Sequence, residues 1–188
     1  MIATAVPVRP VTPPDRLPAR LVVAAIAIAA IVTAIVVAGL ALRDKIPMLE
    51  LDFKVYHMSG SAVLNGLSPF DVATENDLLF TYSPFAALLF VPMGLVNVHV
   101  AFAVWTFASV LALEASIWLL VGLVKPESQV QRAKFTMLAA VAALFTAPVW
   151  MMVANGQINI LLMILVLADV ARRRPGRFQG IGVDQVQF

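Results

Sequence analysis

The chain consists of long apolar runs separated by one extended polar segment. Its first run, Leu21 to Leu42, contains 22 residues without a charge, and about 20 apolar residues are enough for a helix to cross a bilayer. Backbone polar groups inside hydrocarbon must pair within their own segment, so these runs predict helices. The pattern therefore indicates an all-α integral membrane protein. The further apolar runs are Phe85 to Val96, Val98 to Val124, Phe135 to Ala154 and Ile158 to Ala171.

The run Phe85 to Val96 is short for a membrane crossing. It has 12 residues and is interrupted by Pro92 and Gly94, which favours an interfacial or re-entrant helix. If this run does not cross, ten of the 13 lysines and arginines lie on the cytoplasmic side, as the positive-inside rule requires. The sequence thus predicts about four transmembrane helices plus interfacial or re-entrant helices, with residues 43–84 as an extracytoplasmic loop.

Composition agrees with this organisation. A hydrophobic content of 61% and a mean hydropathy of +0.92 exceed what one water-soluble core can bury. The pI of about 9.3 comes from cations beside the predicted helix ends, which indicates membrane orientation rather than nucleic-acid binding. The absence of cysteine excludes disulfides and Cys-ligated metal sites. We expect a disordered cytoplasmic tail at 1–20 ahead of an uncleaved anchor, a membrane domain at 21–174 and an irregular tail at 175–188.

The polar segment from Leu49 to Pro84 holds most of the candidate chemistry. Between Asp52 and Leu67 the apolar residues recur mainly at spacings of three and four, which predicts an amphipathic helix on the membrane surface. Asp52 at its start has two interpretations: it caps the helix, or it accepts a proton from a substrate hydroxyl in an interfacial cleft. Tyr56 and His57 follow on this helix and could position a phosphate or a sugar, while a simply solvated histidine is the alternative.

Further polar groups flank the apolar runs. Tyr82 lies in the run FTYSP and either contacts substrate or belongs to an aromatic belt at the membrane interface. In the turn Asn155 to Asn159, the amides of Gln157 and Asn159 can both donate to and accept from sugar hydroxyls. The charge distribution places this turn on the same side as the polar segment. No metal site is expected, because neither histidine has a second ligand at matching helical spacing. Within the membrane, Glu114 is interpreted as a hydrogen-bonded helix contact, with a proton relay as the alternative.

Three segments of the chain carry a family resemblance. They read DFKVYHMSGSAVLNG, FTYSPFAALLFVPMGLV and NGQINILLMILVLADV, and they resemble the D-x-x-VY, FTYPPFAALLF-like and GQ-x-N-LLL segments of glycosyltransferase family 87. This GT-C family includes the actinobacterial polyprenyl-phosphate-mannose-dependent alpha-(1,2)-mannosyltransferases and related arabinofuranosyltransferases. The matches keep the family's order and spacing over residues 50–174, with Ser83 in place of the first proline of the second segment.

The resemblance implies a partial GT-C fold and a membrane glycosyltransferase. Such an enzyme moves a mannosyl or arabinofuranosyl unit from a polyprenyl-phosphate sugar to a cell-envelope glycolipid or glycan acceptor, without a metal or a separate cofactor. Asp52 corresponds to the base that deprotonates the acceptor hydroxyl. The residues expected to contact donor or acceptor are Tyr56, His57, Tyr82, Gln157 and Asn159.

The resemblance also implies partners and a location. The expected partners are membrane lipid, the lipid-linked sugar and the acceptor, with no nucleic acid. The expected location is the plasma membrane, as a multi-pass protein whose active site faces the extracytoplasmic side. Because family members are longer and continue into further crossings, the alternative is a truncated, non-catalytic membrane protein or a helix-bundle partner.

Overall fold

The computed structural model of the protein describes residues 19–39, 49–123 and 128–171. These ranges contain no strand beyond one isolated antiparallel bridge between Ala73 and Leu79, so the all-α prediction is confirmed. The expected tails at 1–20 and 175–188 lie outside the described residues, except that the first helix already begins at Ala19. The helices are α1 (Ala19–Gly39), α2 (Leu51–Leu64), α3 (Pro84–Gly94), α4 (Val98–Leu123), α5 (Gln129–Leu144), α6 (Ala147–Asn155) and α7 (Asn159–Val170).

Two helices, α1 and α4, are long and apolar enough to cross a membrane. They have 21 and 26 residues, close to or above the about 20 that a crossing requires. They pack along each other, and Leu21 near the start of α1 lines the same cavity as Trp118 near the end of α4. The two helices are therefore antiparallel and form the frame on which the other helices pack.

The predicted single crossing from Phe135 to Ala154 is divided in the structure into α5 and α6. The two helices meet at an angle of 78°. Thr146 has extended backbone angles, and Pro148 lies at the start of α6, where the proline ring suits a first turn but would disrupt a helix interior. Because α7 has only 12 residues, the described chain holds two crossing-length helices, or three if the bent pair is one span. About four had been expected.

Helices α2 and α3 form a tightly packed hairpin. A methyl group added to Gly60 would overlap the carbonyl oxygen of Phe90, and one added to Gly94 would lie 2.5 Å from the backbone nitrogen of Ser61. Glycine at both positions thus lets the two backbones touch, as small residues do between membrane helices. The 11 residues of α3 agree with the short interfacial or re-entrant helix expected there.

The hairpin packs on the first half of α4 through aromatic rings. Phe53 lies 5.4 Å from Phe102 and 5.8 Å from Trp105, measured between ring centroids. The turn between α6 and α7 also contacts this region, because the backbone N–H of Glu50 donates to the carbonyl of Ala154 at 2.8 Å. The start of α2, the start of α4 and the α6–α7 turn therefore meet at one end of the bundle, which we call the polar end.

Farther along α4, an open cavity of about 250 Å³ lies between α1, α4 and α5. Its lining is apolar except for Thr136 and Glu114. Glu114 is 5% exposed, and neither carboxyl oxygen has a hydrogen-bond partner among the described residues. The expected helix contact of Glu114 is therefore not made within this part of the chain.

Candidate active site

Asp52 lies in the first turn of α2, at the polar end. The helix begins after Glu50, which adopts a left-handed conformation with φ 56°, and no side chain caps the helix by a hydrogen bond. The capping role considered for Asp52 is therefore not seen, although a carboxylate in a first turn still favours the positive end of the helix dipole. The Asp52 side chain is partly exposed, so its carboxylate is accessible to a ligand.

Tyr56 follows Asp52 by four residues and lies on the same face of α2. Its side chain is 1% exposed and stacks on Phe90 at 4.4 Å. Burial raises the pKa of Tyr56 far above its usual value, and its hydrogen bond to Tyr82 and the charges of Tyr82 and Asp52 act in the same direction. A hydrogen bond from the Ile158 backbone opposes this rise. Tyr56 is therefore a neutral phenol at ordinary pH.

Tyr82 joins the site from the loop before α3. Its hydroxyl lies 3.2 Å from that of Tyr56, and the two rings meet edge to face at 5.4 Å. Phe80, which is 2% exposed, packs beside Tyr82 at 5.6 Å and anchors this part of the loop. Tyr82 itself is 41% exposed, so the hydroxyl pair connects a buried phenol to an accessible one.

The α6–α7 turn supplies the amides expected from the sequence. Gly156 has φ 72°, and a methyl group at this position would lie 2.6 Å from Cβ of Phe53, so only glycine lets the turn lie against α2. Asn159 donates through Nδ2 to Oε1 of Gln157 at 3.2 Å. Because the Ile158 backbone acts on Tyr56, the structure brings Asp52, Tyr56, Tyr82 and this turn together.

His57 is directed elsewhere. Its Nε2 lies 2.9 Å from the carbonyl oxygen of Val96, and since a carbonyl can only accept, Nε2 carries the proton. Val96 lies in the connection between α3 and α4. His57 thus holds that connection against α2, and the bond leaves only Nδ1 for any contact with a ligand.

Sequence reasoning missed Glu50. The residue is 1% exposed, with its carboxylate 3.1 Å from Nζ of Lys54 and 3.4 Å from Nδ1 of His99. Neither contact has the directionality of a good hydrogen bond, so we treat the Lys54 contact as an ion pair and the His99 contact as a close polar approach. Lys54 also lies 3.9 Å from the exposed Glu75. The i,i+4 spacing of Glu50 and Lys54 was the signal available in the sequence, whereas His99 comes from a different helix.

The site combines an accessible carboxylate with neutral hydroxyl and amide groups. Within residues 19–39, 49–123 and 128–171, no three His, Asp or Glu side chains are grouped so that they could hold a metal ion. A carboxylate can accept a proton from a hydroxyl, and hydroxyl and amide groups can bind polar ligands without adding charge. The arrangement suits general-base chemistry on a polyhydroxylated ligand.

Comparisons with known proteins point to one family. The model of glycosyltransferase family 87 matches residues 80–183, more than half of the chain. A polyprenol-phosphate-mannose-dependent alpha-(1-2)-phosphatidylinositol mannoside mannosyltransferase from Mycolicibacterium smegmatis is 29% identical over 154 residues, covering 73% of this chain and 35% of the relative. The protein of the same description from Mycobacterium tuberculosis is 30% identical over 153 residues, covering 71% and 36%.

The chain thus spans about a third of the length of the curated relatives it matches. No solved structure matches it.

Proposed function

Since the chain belongs to glycosyltransferase family 87, we propose that its polar end is the active site of a membrane glycosyltransferase. The donor is a polyprenyl-phosphate sugar, with mannose favoured over arabinofuranose because both relatives are described as polyprenol-phosphate-mannose-dependent. The acceptor is a cell-envelope glycolipid or glycan, and the relatives' description as phosphatidylinositol mannoside mannosyltransferases favours a mannolipid. The reaction takes place on the extracytoplasmic face of the plasma membrane, in a multi-pass protein.

The observation that carries this proposal is the position of Asp52 beside the Tyr56–Tyr82 pair. In the reaction, the acceptor oxygen attacks the anomeric carbon while the bond from that carbon to the phosphate oxygen breaks. The bonding electron pair leaves with the polyprenyl phosphate, and the acceptor hydroxyl proton passes to the Asp52 carboxylate and later to water. Asp52 is suited to this role because it is partly exposed and is not used in a helix cap.

The other predicted residues take contact roles in this proposal. Tyr82, Gln157 and Asn159 contact donor or acceptor in this scheme, while Tyr56, which is buried, acts by holding Tyr82. His57 is the weakest member of the set, because its Nε2 already binds the Val96 carbonyl. The reaction needs no metal or separate cofactor, since Asp52 removes the proton and the phosphate is already a stabilised leaving group.

Transfer of mannose from polyprenyl-phosphate mannose to a phosphatidylinositol mannoside tests the proposal. We expect Asp52→Asn to lower the rate by roughly 10²- to 10⁴-fold, the usual contribution of a general base. Asp71→Asn is the matched control, because Asp71 is an exposed carboxylate in the following loop and should not affect transfer. Wild-type protein without transfer activity, or Asp52→Asn with full activity, would overturn the assignment.

A further inference from the structure

Resting on this proposed function, we propose that the Tyr82 hydroxyl donates a hydrogen bond to the phosphate of the lipid-linked donor, at the oxygen that leaves the anomeric carbon. Tyr82 thereby recognises the part of the donor that can only accept hydrogen bonds. Asp52, which as a carboxylate can only accept, is left for the acceptor hydroxyl. The two groups select opposite reactants by their hydrogen-bonding polarity.

The direction in which Tyr82 donates its hydrogen bond follows from the hydrogen bonds of Tyr56. The Tyr56 hydroxyl is buried and has a single proton to donate. Among the described residues, the one side-chain partner recorded for that hydroxyl is the hydroxyl of Tyr82, at 3.2 Å. Buried polar groups are nearly always hydrogen-bonded, so we assign the Tyr56 proton to the Tyr82 oxygen. The proton of Tyr82 then points away from Tyr56, toward the accessible side.

Two other proton-bearing side chains of the polar end, those of Lys54 and His57, are already engaged. Nζ of Lys54 contacts the buried Glu50 at 3.1 Å, and Nε2 of His57 binds the Val96 carbonyl. Tyr82 differs because it is 41% exposed, and once Tyr56 has donated to it, its own proton has no recorded acceptor in the described part of the chain. A neutral donor also avoids placing an extra lysine or arginine beside Asp52, whose carboxylate must remain a good proton acceptor.

The position of Tyr82 favours an anion for a second reason. Tyr82 lies two residues before Pro84, where α3 begins, and Ser83 caps this helix by accepting from the N–H of Ala86. The start of a helix carries a partial positive charge and attracts phosphate groups. As the anomeric carbon separates from the phosphate oxygen, negative charge grows on that oxygen. The Tyr82 hydrogen bond strengthens accordingly, without transfer of its proton.

Binding of two short isoprenoids to the protein in lipid nanodiscs tests this inference. The probes are farnesyl phosphate and farnesol, which share the chain and differ in the phosphate. We expect wild type to prefer farnesyl phosphate, and Tyr82→Phe to weaken farnesyl phosphate binding roughly 10-fold, as for a lost hydrogen bond to a charged group. Farnesol binding should not change, because Tyr82→Phe keeps the ring.

Two variants serve as controls. Thr81→Val removes an exposed hydroxyl one position away and should keep the phosphate preference. Asp52→Asn should strongly slow transfer but keep the preference, which separates the base from the phosphate contact. Retention of the full preference in Tyr82→Phe overturns the inference while leaving the proposed function intact. An equal loss in Thr81→Val also overturns it, because the effect would belong to the loop. Equal binding of both probes by wild type overturns both proposals.

Discussion

Glu50 and Glu114 are both almost completely buried, with 1% and 5% of their surfaces exposed, but their surroundings differ. Glu50 lies within ion-pair distance of Lys54 and His99. Glu114 faces an apolar cavity and has no partner in the described ranges. A buried charge is tolerated where partners compensate its desolvation, and an unpaired acid in an apolar setting is costly. The same residue type therefore has opposite energetic consequences in the two places.

The regions around Glu50 and Glu114 also differ in how closely their helices pack. At the polar end, backbone atoms of different helices touch directly, through the bond from Glu50 to Ala154 and the contact of Gly156 with Phe53. Around Glu114, α1 and α5 are separated by an open cavity. Reactive groups need fixed positions, so the closely packed end is the one suited to chemistry. The three predictions that follow test how far the two regions differ.

The largest effect is expected for Gly156→Ala at the polar end. Alanine at this position would have to keep φ 72°, which strains the backbone, and its methyl group would lie 2.6 Å from Cβ of Phe53. Backbone strain and overpacking together should lower stability by about 3 kcal/mol. Gly66→Ala is the matched control: Gly66 has φ 68° but no atom within 4 Å of the added methyl. Its loss should be about 1 kcal/mol, from strain alone. Unfolding in detergent measures both, and equal losses would mean that the turn is not packed against α2.

Much of the helical architecture could be predicted from the apolar pattern. The bounds expected for the first run and for Val98 to Val124 agree with α1 and α4 to within a few residues. The bend at Thr146 could not be read from periodicity, because a run that is apolar on every side has no preferred face. Pro148 was the available signal for it. Against the expected number of about four crossings, the described residues hold two helices of crossing length, or three if the bent pair forms one span.

The candidate site could likewise be predicted only in part from the sequence. Asp52 and Tyr56 share a face of one helix, which their spacing of four residues already indicates. The contact of Tyr56 with Tyr82 joins residues 26 positions apart and depends on how α2 packs against α3. The partner of His57 is a backbone carbonyl, and every residue has one, so no sequence pattern identifies it.

A smaller loss of stability is expected when Glu50, the glutamate with charged and polar neighbours, is neutralised. Glu50→Gln keeps the size of the side chain and removes its charge, leaving Lys54 with only the exposed Glu75 as an acidic neighbour and His99 without a carboxylate beside Nδ1. Since Lys54 and His99 are 21% and 45% exposed, water compensates part of the loss, and we expect about 2 kcal/mol of destabilisation rather than the full cost of breaking a buried pair. Glu75→Gln changes an exposed partner of the same Lys54 and should have no measurable effect in the same unfolding assay. A Glu50→Gln variant more stable than wild type would show that Glu50 is not compensated by its neighbours.

The smallest effect, and one of opposite sign, is expected for Glu114→Leu. Leucine has a similar volume and leaves no polar atom unpaired in the apolar cavity, so the variant should be more stable than wild type by about 1 kcal/mol. Val104→Leu on the same helix is the control, because Val104 is 65% exposed and the exchange keeps an apolar surface. A loss of stability in Glu114→Leu would mean that Glu114 is paired after all, with a group outside the described residues. Glu50 and Glu114 would then both have partners, and would differ only in where along the chain those partners lie.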